Sequence, residues 1–331
     1  MQLNQLEFRF INQYQGGFLL QQRPFLSIAK QLNCSEQTLL DTIGGLLDKS
    51  FLTRFGPLYD AVQLGGGLTL AAMSVEQDDY DRIAHVVNAF PQVAHNYRRE
   101  HELNMWFVLA TESPDEIETT ISAIEKKTSL KVYNFPKQQE FYIGLWLDLA
   151  EIGGVSTVPL PVAPMIASGS IRYNIDDLDR KIISETQCGL PLDGEPYKTI
   201  ANIIGCTANE VILRLKKMLD YGIIRRIGAV PNHYRLGLKA NGMTVWDVPD
   251  KHAQVLGEVI GQLDFVSHCY LRPRHLPMWG YNLFAMVHGH TRDEVEEKSR
   301  QIKVLLGQHC HSNDILFSSA ILKKTGLRLA A

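Results

Sequence analysis

The amino-acid sequence contains a long internal repeat. Residues 23–56 align without gaps on residues 195–228, and the alignment pairs Arg54 with Arg226. The match continues in two further pairs of segments, 90–97 with 263–270 and 103–110 with 281–288. Since similar sequences fold alike, the chain must consist largely of two copies of one structural unit. At 331 residues there is room for two copies of about 150 residues and a connection between them.

Composition narrows the class of protein. Hydrophobic residues make up 45% of the chain and charged residues 21%, which is ordinary for a soluble globular protein. No apolar run approaches the ~20 residues of a membrane helix, and residues 1–15 lack a signal-peptide pattern. We therefore expect a cytoplasmic protein without a membrane partner. The 5 cysteines lack the paired spacing of a disulfide framework or zinc site, so they are expected to be reduced.

Each copy divides into two predicted domains. The first shows helix, turn and helix, with Pro196 opening one helix, Thr207 capping the next and Gly222 ending it. A β-turn-β wing is expected to follow. The second domain has the order βαββαβ of a ferredoxin-like sandwich. The predicted boundaries are 1–60 and 173–230 for the winged helix-turn-helix domains, 61–150 and 231–331 for the ferredoxin-like domains, and 151–172 for a linker rich in Gly, Pro and Ser.

This α+β arrangement, duplicated in tandem, resembles the Lrp/AsnC family of transcription regulators. A ligand-responsive regulator is therefore one hypothesis. However, the first predicted recognition helix, SEQTLLDTIGGLLDK, has Glu36, Asp41 and Asp48 against Lys49 alone, and DNA would repel such a surface. The second copy offers Arg214 and two lysines. DNA binding is thus not expected, and the domain is interpreted as an element of packing and assembly.

Histidine, tyrosine and arginine recur at equivalent points of the two copies. His95-x-Tyr97 is followed by arginines, and His268-x-Tyr270 is followed by Arg272. Side chains two apart on a strand share a face. The second copy adds the turn VPNHYRLG, which contains His233 and Tyr234, and the loop RPRHLPMW. The charge differs between the copies: residues 1–150 hold 12 Lys/Arg against 18 Asp/Glu, and the remainder hold 21 against 18.

The segments FGPLYDA, VAHNYRREHELNMWFVLA, GAVPNHYRLG and CYLRPRHLPMWGYNLFAMVHG closely resemble the siroheme decarboxylases. The first copy is similar to the NirD type and the second to the NirL type, fused in one chain. This resemblance implies removal of carbon dioxide from the C12 and C18 acetates of siroheme to give 12,18-didecarboxysiroheme. That product leads to the special heme of nitrite reductase. A carboxy-lyase of this kind needs no cofactor beyond its iron-containing tetrapyrrole substrate, whose ring serves as the electron sink.

Siroheme carries eight carboxylates on an apolar macrocycle, so its site requires arginine donors and apolar walls. Decarboxylation also requires a proton, which histidine can supply. We expect catalytic roles for His95, His101 and His233. The residues expected to bind substrate are Tyr97, Arg98, Arg99, Tyr234, His268, Arg272, Arg274 and His275. A neutral imidazole could alternatively ligate the iron of the substrate.

Three other questions stay open in the sequence. His288-x-His290 and His309-x-His311 have strand spacing, but no carboxylate supports them, and no metal site is expected. A tetrapyrrole carrier that binds without reacting is a third hypothesis. The two copies are expected to pair as an intramolecular pseudo-dimer. A homo-oligomer and contacts with other tetrapyrrole-pathway proteins are compatible with the sequence.

Overall fold

The structure is a computed structural model that describes residues 3–149, 155–158 and 173–324. Most of the predicted linker lies outside these residues. The helices are α1 Gln5–Tyr14, α2 Pro24–Leu32, α3 Glu36–Asp48, α4 Tyr80–Asn88, α5 Glu116–Thr128, α6 Asp177–Thr186, α7 Pro196–Ile204, α8 Ala208–Asp220, α9 Asp250–Gly261 and α10 Arg292–Leu306. The strands are β1 Leu52–Tyr59, β2 Gly67–Met73, β3 Val93–Arg99, β4 Met105–Thr111, β5 Tyr133–Pro136, β6 Gln139–Ile143, β7 Trp146–Leu149, β8 Val155–Val158, β9 Ile224–Pro231, β10 Ala240–Asp247, β11 Val266–Leu271, β12 Leu283–Gly289 and β13 Ser312–Lys324. No helix in these ranges is long and apolar enough to span a bilayer.

The helix-turn-helix domains form as predicted, and local chemistry explains their boundaries. The second helix of each copy begins with proline, whose fixed φ suits the first helical position. Ser35 and Thr207 then accept hydrogen bonds from backbone amides at the starts of α3 and α8. The two units share one hydrophobic core, to which α1, α2, α3, α6, α7 and α8 all contribute. The copies are therefore joined at this end of the molecule by packing.

The wings differ from the sequence prediction. Within the described residues neither copy forms a β-turn-β wing, because β1 of the first copy pairs antiparallel with β9 of the second, with Phe55 opposite Ala229. The matched arginines on these strands are turned inward. Arg54 donates to the carbonyl of Gln187 at 2.7 Å, and Arg226 donates to the carbonyl of Gln15. A winged helix offers its wing strands and their arginines to DNA. In this protein both the strands and the arginines instead join the two copies.

Both ferredoxin-like units form, and they merge into one sheet. The strand order is β5-β2-β4-β3 in the first copy and β13-β10-β12-β11 in the second, which is the same topology twice. β13 is long enough to serve both copies: Ser312–Phe317 pair with β10, and Ser318–Lys324 pair with β3. In the first copy the equivalent strand is broken into β5, which pairs with β2, and β6, which pairs with β11.

Each copy thus gives the end of its last strand to the other copy's sheet. The nine-stranded sheet begins with β5 and ends with β6. Only residues 137 and 138 separate these two strands in the chain. The sheet must therefore curl until its two edges meet, which gives it an inner face, on the side away from the helices, and an outer face.

The hydrophobic clusters follow this division. On the outer face, α4 and α5 cover the first copy and α9 and α10 cover the second, each over its own core. A fourth cluster lies on the inner face and draws side chains from both copies, including Trp106, Phe135, Trp279 and Phe284. Trp106 is fully buried and Trp279 is 1% exposed. These aromatic residues fill part of the interior of the sheet.

Candidate functional site

The two recurring motifs lie on the inner face. On β3, Asn96 points to the outer face and bonds Asn88 of α4, so His95, Tyr97 and Arg99 face inward. On β11, Cys269 points outward in the same way and contacts the carbonyl of Gly257 in α9. His268, Tyr270 and Arg272 therefore face inward too. The ring centroids are 6.2 Å apart for His95 and Tyr97, and 6.0 Å apart for His268 and Tyr270.

The first motif is completed by residues of the second copy. Arg99 lies 5.7 Å from the Tyr97 ring and donates to the carbonyl of Leu316 at 2.7 Å. Tyr234, from the turn between β9 and β10, lies close enough to influence the titration of both Tyr97 and Arg99. The ammonium group of Lys324, beside His95 on β13, is 5.8 Å from the Tyr234 ring. Strand exchange thus brings His95, Tyr97, Arg99, His233, Tyr234 and Lys324 together.

The second motif is completed by the first copy. Arg272 lies 4.9 Å from the Tyr270 ring and donates to the carbonyl of Phe135 on β5. Arg225 and Glu140, which form an ion pair with each other at 3.8 Å, act electrostatically on His268 and Tyr270 respectively. The two motifs are therefore equivalent in position, but their surroundings differ.

Several buried polar atoms of these motifs have no hydrogen-bond partner. They are Nδ1 of His95, Nε of Arg99 and Nε of Arg272. Buried polar groups are normally satisfied, and an orphaned guanidinium nitrogen is costly. Arg99 and Arg272 are only 7% and 9% exposed to solvent. A ligand that reaches the inner face would supply the acceptor that each of their Nε atoms lacks. A carboxylate is the acceptor that best matches a guanidinium group.

Burial makes the inner-face histidines neutral in the free protein. The pKa of His95 falls to about 4, because burial and the nearby Lys324 both disfavour the charged ring. Burial likewise lowers the pKa of His233 to about 3 and that of His268 to about 4. A histidine ring in water titrates near neutrality and can donate a proton there. In the free protein these three rings are instead bases, and they become acids only if a bound anion raises their pKa.

Four predicted site residues lie outside the two groups of side chains that surround the motifs. Arg98 is on the outer face, with its guanidinium carbon 4.2 Å from the Tyr80 ring centroid. Arg274 forms 2.6 Å ion pairs with Asp247 and Asp250, so its donors are already used.

His275 belongs to a short bridged turn with Trp279, and its Nε2 lies 2.7 Å from the carbonyl oxygen of Asn134. His101 follows β3 and packs on the Trp279 ring at 5.2 Å, while its Nδ1 accepts from the amide of Leu103. His101 and His275 thus both border the inner-face aromatic cluster, since the His275 ring also lies 4.7 Å from the Phe135 ring.

The structure also adds residues that sequence reasoning did not select. Tyr270 could have been found, because it repeats Tyr97 in the aligned motif. Lys324 enters only through strand exchange, which leaves no local signal. His288 was considered as a metal ligand with His290, but the two diverge: His288 bonds Ser267 and Asn241 on the inner face, and His290 bonds Glu294. Among the described residues, no group of three potential metal ligands comes together.

Comparison with known proteins agrees with this architecture. A family described as "AsnC-like ligand binding domain" matches residues 63–142 and 235–323, and one described as "Siroheme decarboxylase NirDL-like HTH domain" matches 7–52 and 179–225. The siroheme decarboxylase NirH subunit of Paracoccus pantotrophus is 60% identical over 154 residues, which cover 46% of this chain and 96% of that protein. The siroheme decarboxylase of Hydrogenobacter thermophilus is 31% identical over 316 residues, covering 93% of this chain and 90% of that protein.

Among solved structures, the siroheme decarboxylase NirDL in complex with an iron-uroporphyrin III analogue superposes with a TM-score of 0.70. It is 27% identical and covers 97% of this chain and 92% of that chain. The duplicated domains and the inner-face motifs define a fused pair of helix-turn-helix and AsnC-like ligand-binding units. The chain belongs to the siroheme decarboxylase family, in its fused NirDL arrangement.

Proposed function

We propose that this chain is a carboxy-lyase that removes carbon dioxide from the C12 and C18 acetates of siroheme. The product is 12,18-didecarboxysiroheme, on the route to the special heme of nitrite reductase. Family membership along nearly the whole chain supports the reaction. The observation that carries the assignment to this site is the pair of inner-face motifs, in which Arg99 and Arg272 each keep a buried nitrogen without an acceptor.

The motifs suit a polycarboxylate with an apolar body. Arg99 and Arg272 each donate one hydrogen bond to a main-chain carbonyl. Arg99 also contacts the Tyr97 ring, and Arg272 contacts the Tyr270 ring. Each guanidinium group therefore retains donors for a substrate carboxylate. Burial of these groups means that a carboxylate reaching them loses water, which strengthens the pairing. We infer that the arginines hold the carboxylates that do not react.

The reaction breaks the bond between the acetate methylene and its carboxyl carbon, and carbon dioxide leaves. The electron pair stays on the methylene carbon and spreads into the conjugated ring of the substrate. One proton then completes the methyl group. His95 and His233 are the expected proton donors, and they acquire their protons when substrate carboxylates raise their pKa. His101 is the third expected participant, from its place beside Trp279.

We extend this proposal to the cofactors, cellular location and assembly of the protein. No organic cofactor or separate metal is required, since the tetrapyrrole is both substrate and electron sink. The chain functions in the cytoplasm, and the pairing of its two copies gives an intramolecular pseudo-dimer. Larger assemblies with further copies or with other tetrapyrrole-pathway proteins are compatible with it.

The test is anaerobic incubation of purified protein with siroheme, followed by mass spectrometry. We expect two successive losses of carbon dioxide. His95→Ala and His233→Ala are expected to slow the losses by about a hundredfold or more, which is the contribution typical of general acids. Full activity in both variants would remove these residues from the mechanism. Spectral changes without mass loss would instead identify a carrier.

A ligand-responsive transcription regulator is the less supported alternative. Its winged strands are paired with each other, and Arg54 and Arg226 are engaged with main-chain carbonyls. Salt-dependent binding to duplex DNA at micromolar or lower protein concentration would favour the regulator.

A further inference from the structure

A buried hydrogen-bonded bridge lies behind the histidines of the second copy. The hydroxyl of Ser267 is 2.7 Å from Nδ1 of His268 and 2.6 Å from Nε2 of His288. On its other side, Nδ1 of His288 bonds Oδ1 of Asn241. The His233 ring packs edge-on against the His288 ring with centroids 5.0 Å apart. Ser267, His288 and Asn241 are 1–3% exposed, so water does not compete for these bonds.

The bridge has a defined direction. Oδ1 of Asn241 can only accept, so Nδ1 of His288 carries the hydrogen. His288 is neutral, because burial and the neighbouring His233, His268 and Lys298 lower its pKa well below the ordinary value. Its Nε2 therefore has a lone pair and accepts from the Ser267 hydroxyl. The Ser267 oxygen in turn accepts from Nδ1–H of His268, which leaves the lone pair of His268 on Nε2.

The first copy has no such bridge. Strand pairing places Leu68 opposite Ala110, as Asn241 is opposite His288. The third position, next to the motif histidine, is Ala94 in the first copy and Ser267 in the second. All three positions are thus polar in the second copy and apolar in the first. This difference agrees with the state of the motif rings, since Nδ1 of His95 is without a hydrogen-bond partner.

We propose that Ser267, His288 and Asn241 are positioning residues that fix the tautomer of His268 and the orientation of His233, so that the second copy presents preset imidazoles to the substrate. The first copy leaves His95 to be oriented by the substrate itself. This inference rests on the proposed function for its catalytic consequence. Its structural part, the tautomer of His268, stands independently of any reaction.

The direct test is Ser267→Ala, which gives the second copy the residue that the first copy has at this position. We expect the kcat for carbon dioxide release to fall about tenfold, as for other residues that orient a site from behind. The Kd for siroheme, measured by absorption titration under anaerobic conditions, should stay within about twofold, because no bond to the substrate is removed. The matched control is Ser299→Ala, which removes a hydroxyl that is 3% exposed on the outer face. It should leave both quantities unchanged.

Asn241→Asp tests the direction of the bridge. A carboxylate bonded to Nδ1 raises the pKa of His288, and the ring then donates from Nε2 to Ser267. The Ser267 hydroxyl must turn to donate to His268, which moves the hydrogen of His268 from Nδ1 to Nε2. In protein labelled with ¹⁵N-histidine, the imidazole nitrogen shifts should show His268 as the Nδ1–H tautomer in the wild type and as the Nε2–H tautomer in this variant. The pH dependence of kcat should change in parallel.

Two results would overturn the proposal. One is an Nε2–H tautomer of His268 in the wild-type protein. The other is a kcat and pH profile in Ser267→Ala equal to those of the wild type, which would make the bridge a packing feature only. If the wild-type protein releases no carbon dioxide at all, the proposed function fails, while the tautomer measurement on the free protein still decides whether the bridge presets His268.

Discussion

Individual residues of the inner face behave differently from what their types suggest. A histidine in solution titrates near neutrality, but burial keeps the rings of His95, His233 and His268 uncharged in this fold. Their recurrence could be predicted from the repeat. Their pKa could not, because the groups that bury and influence them come from strands and turns far away in the chain. Lys324 beside His95 is one such group.

The stability of the protein should therefore depend on pH through these rings. The folded-state pKa of His233 is about 3, below the ordinary 6.5, so between these values the unfolded chain binds the proton more readily. The contribution of such a ring to the free energy of unfolding is fully present above about pH 6.5. It decreases as the pH falls, by about 1.4 kcal/mol per pH unit for one group. In His233→Gln, urea unfolding at pH 7.5 and pH 5 should differ by about 2 kcal/mol less than in the wild type. The exposed His290→Gln is the control, and an equal effect there would contradict the prediction.

Substrate binding should take up protons. Carboxylates placed near His95 and His233 favour the charged rings and raise their pKa, so rings that are neutral in the free protein bind protons in the complex. Anaerobic calorimetry of siroheme binding at pH 6.5, in two buffers with different heats of ionisation, measures this uptake. Identical binding heats in the two buffers would show that the imidazoles do not sense the carboxylates.

Among the elements, the helices and most strands follow local signals. Proline at the first position of α2 and α7 and the caps at Ser35 and Thr207 were readable from the sequence. The wings were not, because the partner of β1 is β9, about 170 residues further along the chain. A lone strand followed by a turn looks the same in sequence whether its partner is local or remote. The exchange of β6 and the end of β13 escaped prediction for the same reason.

The docking of β6 on the second copy can be tested at Gly257 in α9. A Cβ atom there would overlap the Phe141 ring of β6, closer than any van der Waals contact. Alanine normally stabilises a helix by about 1 kcal/mol over glycine, whereas overpacking costs about 1–3 kcal/mol. The difference between these two effects is a free energy of unfolding lower by up to about 2 kcal/mol in Gly257→Ala.

The control for this substitution is Gly45→Ala in α3, where the nearest atom to the new Cβ is the flexible Nζ of Lys49 at 4.0 Å. It should stabilise the protein by about 0.5–1 kcal/mol. In a Phe141→Leu background, Gly257→Ala should lose most of its cost. Additive effects of the two changes in urea unfolding would mean that β6 does not pack on α9 as described.

At the scale of the whole molecule, the repeat predicted two equal units and a pseudo-dimer, and the structure has both. The repeat did not predict how completely the two units depend on each other. They share a helical core, a two-stranded ribbon and one curled sheet. The motifs are also completed in opposite ways, since His95 faces residues of the second copy and Tyr270 faces β6 of the first.

Cleavage between the copies should accordingly leave them associated. A protease site inserted within residues 159–172 lies outside every described helix and strand, so cleavage there breaks none of them. We expect the halves to elute together in size-exclusion chromatography. Unfolding of the cut protein should depend on protein concentration, and unfolding of the intact chain should not. Separation of the halves under native conditions would contradict the shared core and sheet.

The position of β13 also has a consequence for how the protein is made. A ribosome produces β3 long before β13, which follows every other described strand. Until then β3 has an open edge on the side where β13 will pair, and unpaired edges invite association with other chains. The motif of His95, Tyr97 and Arg99 is on that same strand. Synthesis of the second copy thus both completes the first motif and closes the edge through which a nascent chain could aggregate.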